Sequence, residues 1–239
     1  MAEFDPDLAL LEQASDEELQ PLVAYILDAK TNELKNSDLY KKFQPKHSMY
    51  PELIESEIRK FGGNSFANMF RDSGPAYKEI VCDTAKKLGA SFKEEWPIAE
   101  IEAAIIAKVA EKAWEKMTDE EKGTFLKDIG IDRVDMEAIK KEAFNYRELL
   151  SRAGKYSIAP YSVSATIAGV VALNAMRVLP TSAIAYVVAP ASAALLGPIG
   201  WAVGGAWAAF DVPGPAFRVI IPCVLHIAFL RQKRIAEKP

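Results

Sequence analysis

Cysteine and histidine are scarce, with two of each in 239 residues. Cys82 and Cys223 stand far apart with no Cys-x-x-Cys pair, which excludes a disulfide framework and a cysteine zinc site. Cys223 lies in an apolar run, where a thiol behaves as a small inert hydrophobe. His47 falls in a polar stretch and His226 in an apolar one, too separate for an imidazole pair; His226 is expected as a core histidine with one satisfied hydrogen bond. There is no Gly-x-Ser-x-Gly elbow, no Walker loop and no Gly-x-Gly-x-x-Gly string. No catalytic residue, metal or cofactor is therefore assigned. An excess of positive charge is missing too: 29 Lys+Arg against 33 Asp+Glu leave a net charge of -4, which argues against nucleic acid as a partner. Only 13 Gly and 14 Pro in a half-hydrophobic chain exclude collagenous and disordered classes. Met1 to Asp7 lacks a basic n-region and an apolar h-region, so no secretory signal is expected and the protein is placed in the cytoplasm. Period-two alternation and Asn-Gly or Asp-Gly hairpin signals are absent as well, leaving an all-α fold.

The charge that is present is unevenly distributed. Residues 1–155 hold 31 acids and 23 bases, whereas 156–239 hold 2 and 6, so the two parts carry -8 and +4. Between Tyr156 and Leu230 the charged residues are Arg177, Asp211 and Arg218. This split predicts a charged helical domain at 1–155 and an apolar helical region at 156–239.

Capping chemistry sets out the first part. Asp5 before Pro6 forms an N-cap and first-turn pair, opening a helix to about Gln13. Ser15 with Glu18 makes a capping box ahead of Leu19, Leu22, Val23, Ile26 and Leu27 at helical spacing. Pro51 opens a helix stopped at Gly62, and another is expected from Pro75 to Leu88 with Gly89 as its stop. The longest helix is predicted over Pro97 to Met117, with Ile98, Ile101, Ile105, Ile106, Val109 and Trp114 on one stripe and Glu102, Lys108, Glu111 and Lys112 facing away. Thr118 with Glu121 is a second capping box, and Asp119, Glu120 and Glu121 complement the dipole of the helix they open. Asp132 is read as a further cap. Gly62-Gly63-Asn64 reads as a glycine stop followed at once by a new N-cap, and Gly62, Gly63, Asn64 and Asn68 form a candidate interaction corner.

The second part is apolar but interrupted. Val178 to Phe210 is a run of 33 uncharged residues, longer than the roughly 20 needed to span a bilayer. Pro180, Pro190 and Pro198 with Gly197, Gly200, Gly204 and Gly205 break it, so a helical hairpin turning near Leu196 to Gly200 is expected rather than one spanning helix. Gly200-Trp201-Ala-Val-Gly204 is a small-xxx-small pattern, and Gly197, Gly200, Trp201, Gly204 and Trp207 are assigned to helix packing or membrane contact. Arg231, Lys233 and Arg234 form a basic end with two readings, a membrane-facing patch or a solvated helix terminus.

Several strings carry a family resemblance. They are Phe61 to Asn68, the Trp114, Met117, Glu120, Glu121 and Phe125 pattern, the opening Asp7-Leu-Ala-Leu-Leu with Ser15 to Val23, and above all Gly214-Pro-Ala-Phe-Arg-Val-Ile-Ile-Pro-Cys-Val-Leu-His-Ile-Ala-Phe-Leu-Arg231. Together they resemble the bacterial YaaW-type family. The middle region, about 50–150, is similar to the ubiquinol-cytochrome c chaperone domain, and residues 1–35 to that family's short N-terminal module. The resemblance implies a non-enzymatic helical protein near a membrane and brings no active site with it. The leading expectation is a chaperone- or assembly-factor-like protein, peripheral or integral at the cytoplasmic membrane, with unidentified protein partners and inner-membrane lipid. Two alternatives stand beside it: a conditionally inserting, colicin-type pore former, and an enzyme built from distant side chains such as His47 or His226 with acids.

Overall fold

Capping residues and glycine stops settle where helices begin and end, and the computed structural model follows them closely. It describes residues 4–29, 31–63, 74–115, 117–128, 131, 136, 139, 145–146, 148–149 and 216–237, which are helical or connect helices, with no strand among them. Asp5 accepts from the Asp7 N–H and opens a segment Pro6–Gln13 that winds as a 3-10 helix. The Ser15–Glu18 box closes in both directions at 3.2 and 3.1 Å and starts α1, Asp16–Asp28. A 3-10 turn, Leu34–Asn36, leads to the short α2, Asp38–Phe43, capped by Ser37, and a second 3-10 turn follows at His47–Met49. α3 is Pro51–Gly62 and α4 is Tyr77–Leu88, the latter ended by Gly89 at φ 73° as its stop signal requires. α5 is Ile98–Trp114. The Thr118–Glu121 box, with bonds of 2.6 and 3.3 Å, starts α6, Asp119–Asp128.

Two close approaches depend on glycine. A Cβ on Gly62 would overlap the Ile80 side chain, so the end of α3 sits against α4 where a larger residue fits only if Ile80 moves. Gly62 is thus a packing contact as well as a stop. Gly74, at φ 69°, would bring a Cβ within 2.6 Å of the Arg59 carbonyl oxygen, and there both the conformation and the space require glycine.

The longest described helix is α7, Ala216–Glu237, with 22 residues against 17 in α5, which corrects the expectation for Pro97 to Met117. Val219, Ile220, Ile221, Cys223, Val224, Leu225, Ile227, Ala228 and Leu230 are all buried, so the first half of α7 is buried around its whole circumference and, His226 apart, is apolar over 219–230. It packs against α1, α3, α4 and α5. Each fully buried Val, Leu or Ile contributes on the order of 1.5–3 kcal/mol relative to exposure, making α7 a principal source of core stability. α7 lies beyond the charge boundary at Lys155 in sequence, but in space it joins the core of the charged part. Ile131, Ile139, Tyr146 and Leu149 belong to that same core. No helix among the described residues is long and apolar enough to cross a membrane.

Candidate functional site

The feature that distinguishes this core is a seam of buried polar groups along α7. Glu102 of α5, expected to face away, is 1% exposed. Its helical phase explains the correction, because it lies one turn from Ile98 and from Ile105 and Ile106 and so shares their buried stripe. Burial is tolerable because partners come from two other helices. The Arg231 Nε–H of α7 donates to Glu102 Oε2 at 2.8 Å, and the Tyr77 hydroxyl of α4 donates to Oε1 at 3.1 Å. Arg231 also donates through Nη2 to the Asp7 carbonyl at 2.6 Å, tying the N-terminal 3-10 helix to α7.

Asp5 extends the seam. Its Oδ2 accepts the Tyr77 backbone N–H at 2.7 Å, serving an orphan donor at the start of α4, while its own N–H donates to Glu55 Oε1 at 3.2 Å. Glu55 is paired with Arg59 at 2.9 Å, and Arg59 Nε donates to the Pro75 carbonyl at 2.9 Å. One connected set of hydrogen bonds therefore joins the N-terminus, α3, α4, α5 and α7.

A second group holds the end of α7 against α1. Lys233 Nζ meets Glu18 Oε1 at 2.8 Å, Arg234 Nη2 meets Glu18 Oε2 at 3.5 Å, and Arg234 Nη1 donates to the Leu10 carbonyl. His226 Nε2 donates to the Glu18 carbonyl at 2.8 Å, while Nδ1 has no partner among the described residues. His226 is thus a core histidine with one satisfied bond, as expected. His47 is also buried, by contrast with its expected polar loop. Its Nε2 faces Gln20 Oε1 at 2.6 Å and its Nδ1 the Tyr50 hydroxyl at 2.5 Å, an arrangement that fits a neutral ring protonated at Nε2.

These positions shift the proton affinities in understandable directions. Burial pushes the Glu102 carboxyl up to about 6 against the charge and hydrogen bond of Arg231, which favour ionisation. Burial lowers His226 to about 4, opposed by the Glu18 carbonyl. Glu18 itself is held below the ordinary carboxylate range: burial works to raise it, but the Lys233 hydrogen bond, the Ser15 N–H and the charges of Lys233 and Arg234 outweigh burial. Burial also lowers His47 and raises the Cys223 thiol.

The seam therefore acts as a clasp on α7. Both carboxylate oxygens of Glu102 and of Glu18 are directed at other parts of the same chain, and neither histidine has a carboxylate as its hydrogen-bond partner. Among the described residues no group of three or more His, Cys, Asp and Glu is placed to hold a metal ion.

The basic end, read in the sequence as either a membrane-facing patch or a solvated helix terminus, is engaged by the chain itself. Arg231, Lys233 and Arg234 are engaged by Glu102, by Glu18 and by the carbonyls of Asp7 and Leu10. The physical reason is that α7 is central, so its last turns run along α1 and α5, whose carboxylates meet them. Gly62 and Gly63 lie at the end of α3, while Asn64 and Asn68 lie outside the described residues. The predicted hairpin at 178–210, with Gly197, Gly200, Trp201, Gly204 and Trp207, and the Asp132 cap also lie outside them. Tyr77, Glu102 and Arg231 were not legible as a group, since they are brought together only by the docking of α4, α5 and α7.

Comparison with known proteins agrees with the resemblance carried by these strings. The chain is 34% identical over 210 residues to a UPF0174 protein of Helicobacter pylori strain 26695, covering 86% of this chain and 99% of the relative. A UPF0174 protein of H. pylori strain J99 is 30% identical over 237 residues, covering 96% and 92%. The chain belongs to the UPF0174 family. The UPF0174 protein YaaW of Escherichia coli K12 is 31% identical over 240 residues, covering 95% of this chain and 94% of the relative. No protein-family model matches the chain, and no solved structure matches it. In this UPF0174 protein, residues 216–231 of the most telling string form the first turns of the central helix. The Trp114 to Phe125 pattern forms the corner between α5 and α6, where the two rings meet edge to face at 6.2 Å.

Proposed function

We propose that this UPF0174 protein is a non-catalytic helical protein acting at the cytoplasmic membrane as an assembly factor does, its charged surface binding protein partners and its uncharged run 178–210 engaging lipid. The observation that carries this reading is the placement of Leu149 and α7 in one core. Leu149 and Val219 stand in the same core, so the stretch of sequence between them, which includes the uncharged run, is tethered at both ends to one folded body. A body that carries both ends stays on one side of a bilayer, and lipid engagement then takes the form of entry and return. Prolines and glycines spaced through the run suit that form better than a single crossing.

Carbonate-washed membranes test it. The full chain is expected to remain in the membrane pellet, and V188D/L195D to move to the supernatant with unchanged helical circular dichroism, since each charge costs about 2.5–3.5 kcal/mol at a bilayer centre. A wild-type chain recovered wholly in the supernatant overturns the membrane reading. Release of trapped dye from liposomes by the wild type replaces the assembly role with pore formation.

A further inference from the structure

Residues 34–50 carry charge of the opposite sign to the rest of the protein. Lys35, Lys41, Lys42 and Lys46 against Asp38 give +3 (4 − 1), while the whole chain is -4, so the remainder sums to -7 (−4 − 3). All four lysines are exposed, and none makes an ion pair among the described residues. Lys41 Nζ rests on the Asn36 carbonyl at 2.7 Å, and Lys42 Nζ lies 4.9 Å from the Phe43 ring centre. Of the nearby acids, Glu33 pairs with Lys60, and Asp16 accepts the Ser48 N–H at 2.8 Å and feels the charge of Lys46 without forming an ion pair with it. The same stretch holds Leu39 and Met49, 48% and 52% exposed, two of the three large hydrophobic residues left exposed among the described residues.

The segment is a built surface rather than a loose loop. Ser37 caps α2, Tyr40 meets Tyr50 edge to face at 6.2 Å, and the Tyr50 hydroxyl and Gln20 hold His47 between them. Tyr40, Tyr50 and His47 thus fasten it to α1 from beneath, with the lysines, Leu39 and Met49 left outward.

We propose that the 34–49 surface is a peripheral docking site for a bilayer containing anionic phospholipid, with the lysines at headgroup phosphates and Leu39 and Met49 at the acyl boundary. This rests on the membrane location proposed above and names a second contact, made by the bundle itself. The chemistry favours lipid over an acidic protein. The cations are all lysine with no arginine, flexible point charges suited to a diffuse negative potential, and lysine is depleted in protein–protein interfaces where arginine and aromatic anchors are enriched. Exposed apolar side chains interleaved with lysines are the pattern of interfacial binding.

Co-sedimentation of the full chain with phosphatidylcholine vesicles, with and without 30% phosphatidylglycerol, tests the proposal. The expected result is tighter binding to the anionic vesicles, weakened by salt. Each lysine near an anionic surface accounts for roughly a fivefold change in partition, so K35Q/K41Q/K42Q/K46Q is expected to bind at least about 100-fold more weakly. L39S/M49S is expected to retain the salt-sensitive part and lose the part that survives high salt. Equal binding of wild type and the lysine variant to anionic vesicles overturns the proposal, as does lysine-dependent retention on polyglutamate without vesicle binding. The carbonate test reads the 178–210 run separately: the lysine variant is expected to behave there as the wild type does, so failure of one reading leaves the other visible.

Discussion

Two clusters of cations in this protein have opposite fates. Arg231, Lys233 and Arg234 close α7 and are drawn inward by Glu102, Glu18 and main-chain carbonyls, whereas Lys35, Lys41, Lys42 and Lys46 stay on the surface with no ion pair among the described residues. Both look alike as short basic stretches beside apolar residues. What separates them is the element beneath. α7 is surrounded by α1, α3, α4 and α5, and Glu18 of α1 and Glu102 of α5 pair with it, while Lys41 and Lys42 of α2 meet a main-chain carbonyl and a ring but no carboxylate among the described residues. A basic stretch is available to an outside partner only if the fold has not supplied an inside one.

The largest effect should come from breaking the inner cluster. R231A leaves Glu102 buried without its ion-pair partner, and urea unfolding is expected to show a loss of about 3–5 kcal/mol. A double-mutant cycle with E102Q should recover part of that loss, because it removes the stranded charge; strict additivity would separate the two residues.

Acid sharpens the comparison next. His226 is lowered to about 4 from 6.5, so between those values the unfolded chain binds more protons and stability falls as pH drops. His47, lowered by burial, acts in the same direction. Glu102 is raised to about 6 from 4.5, so in that window the folded chain binds more protons and its contribution grows as pH drops. Urea midpoints between pH 7.5 and 4.5 should therefore decline less in H226Q than in the wild type and more in E102Q. Equal slopes in all three proteins would remove both groups from the pH response.

A smaller effect is expected at a surface feature that the sequence alone identifies. S15A removes the acceptor of the Glu18 N–H and should reduce stability by about 1 kcal/mol in the same unfolding assay. The smallest belongs to the outer cluster: K35Q/K41Q/K42Q/K46Q should leave the unfolding midpoint where it is, because no ion pair among the described residues is lost. A clear drop would mean that these lysines serve the fold rather than a partner.

Local chemistry was legible wherever a signal and its consequence lie within one turn. The Ser15–Glu18 and Thr118–Glu121 boxes close as their spacing requires, Pro51 opens α3, and Gly89 ends α4 in the left-handed region. The Asp5–Pro6 start was legible, but its second use was not: Asp5 also serves the Tyr77 N–H, 72 residues away. The charge of Glu102 suggests an outward face that its helical phase overrides, and Arg231, 129 residues on, together with Tyr77 makes its burial tolerable. The lysines of 34–49 were visible in the sequence as four cations within twelve positions, yet only their exposure beside the inward-turned α7 cations sets them apart.

The sequence by itself determined that the chain is helical, where several helices begin and end, and which family it belongs to, because capping, glycine stops and apolar periodicity act over a few residues. The tertiary structure decided that the last helix is the central one, which acids and bases are buried together, and which lysines remain outside. Those outcomes depend on pairing groups from distant parts of the chain, and the cost of burying a charge is met only by the partner that packing brings to it.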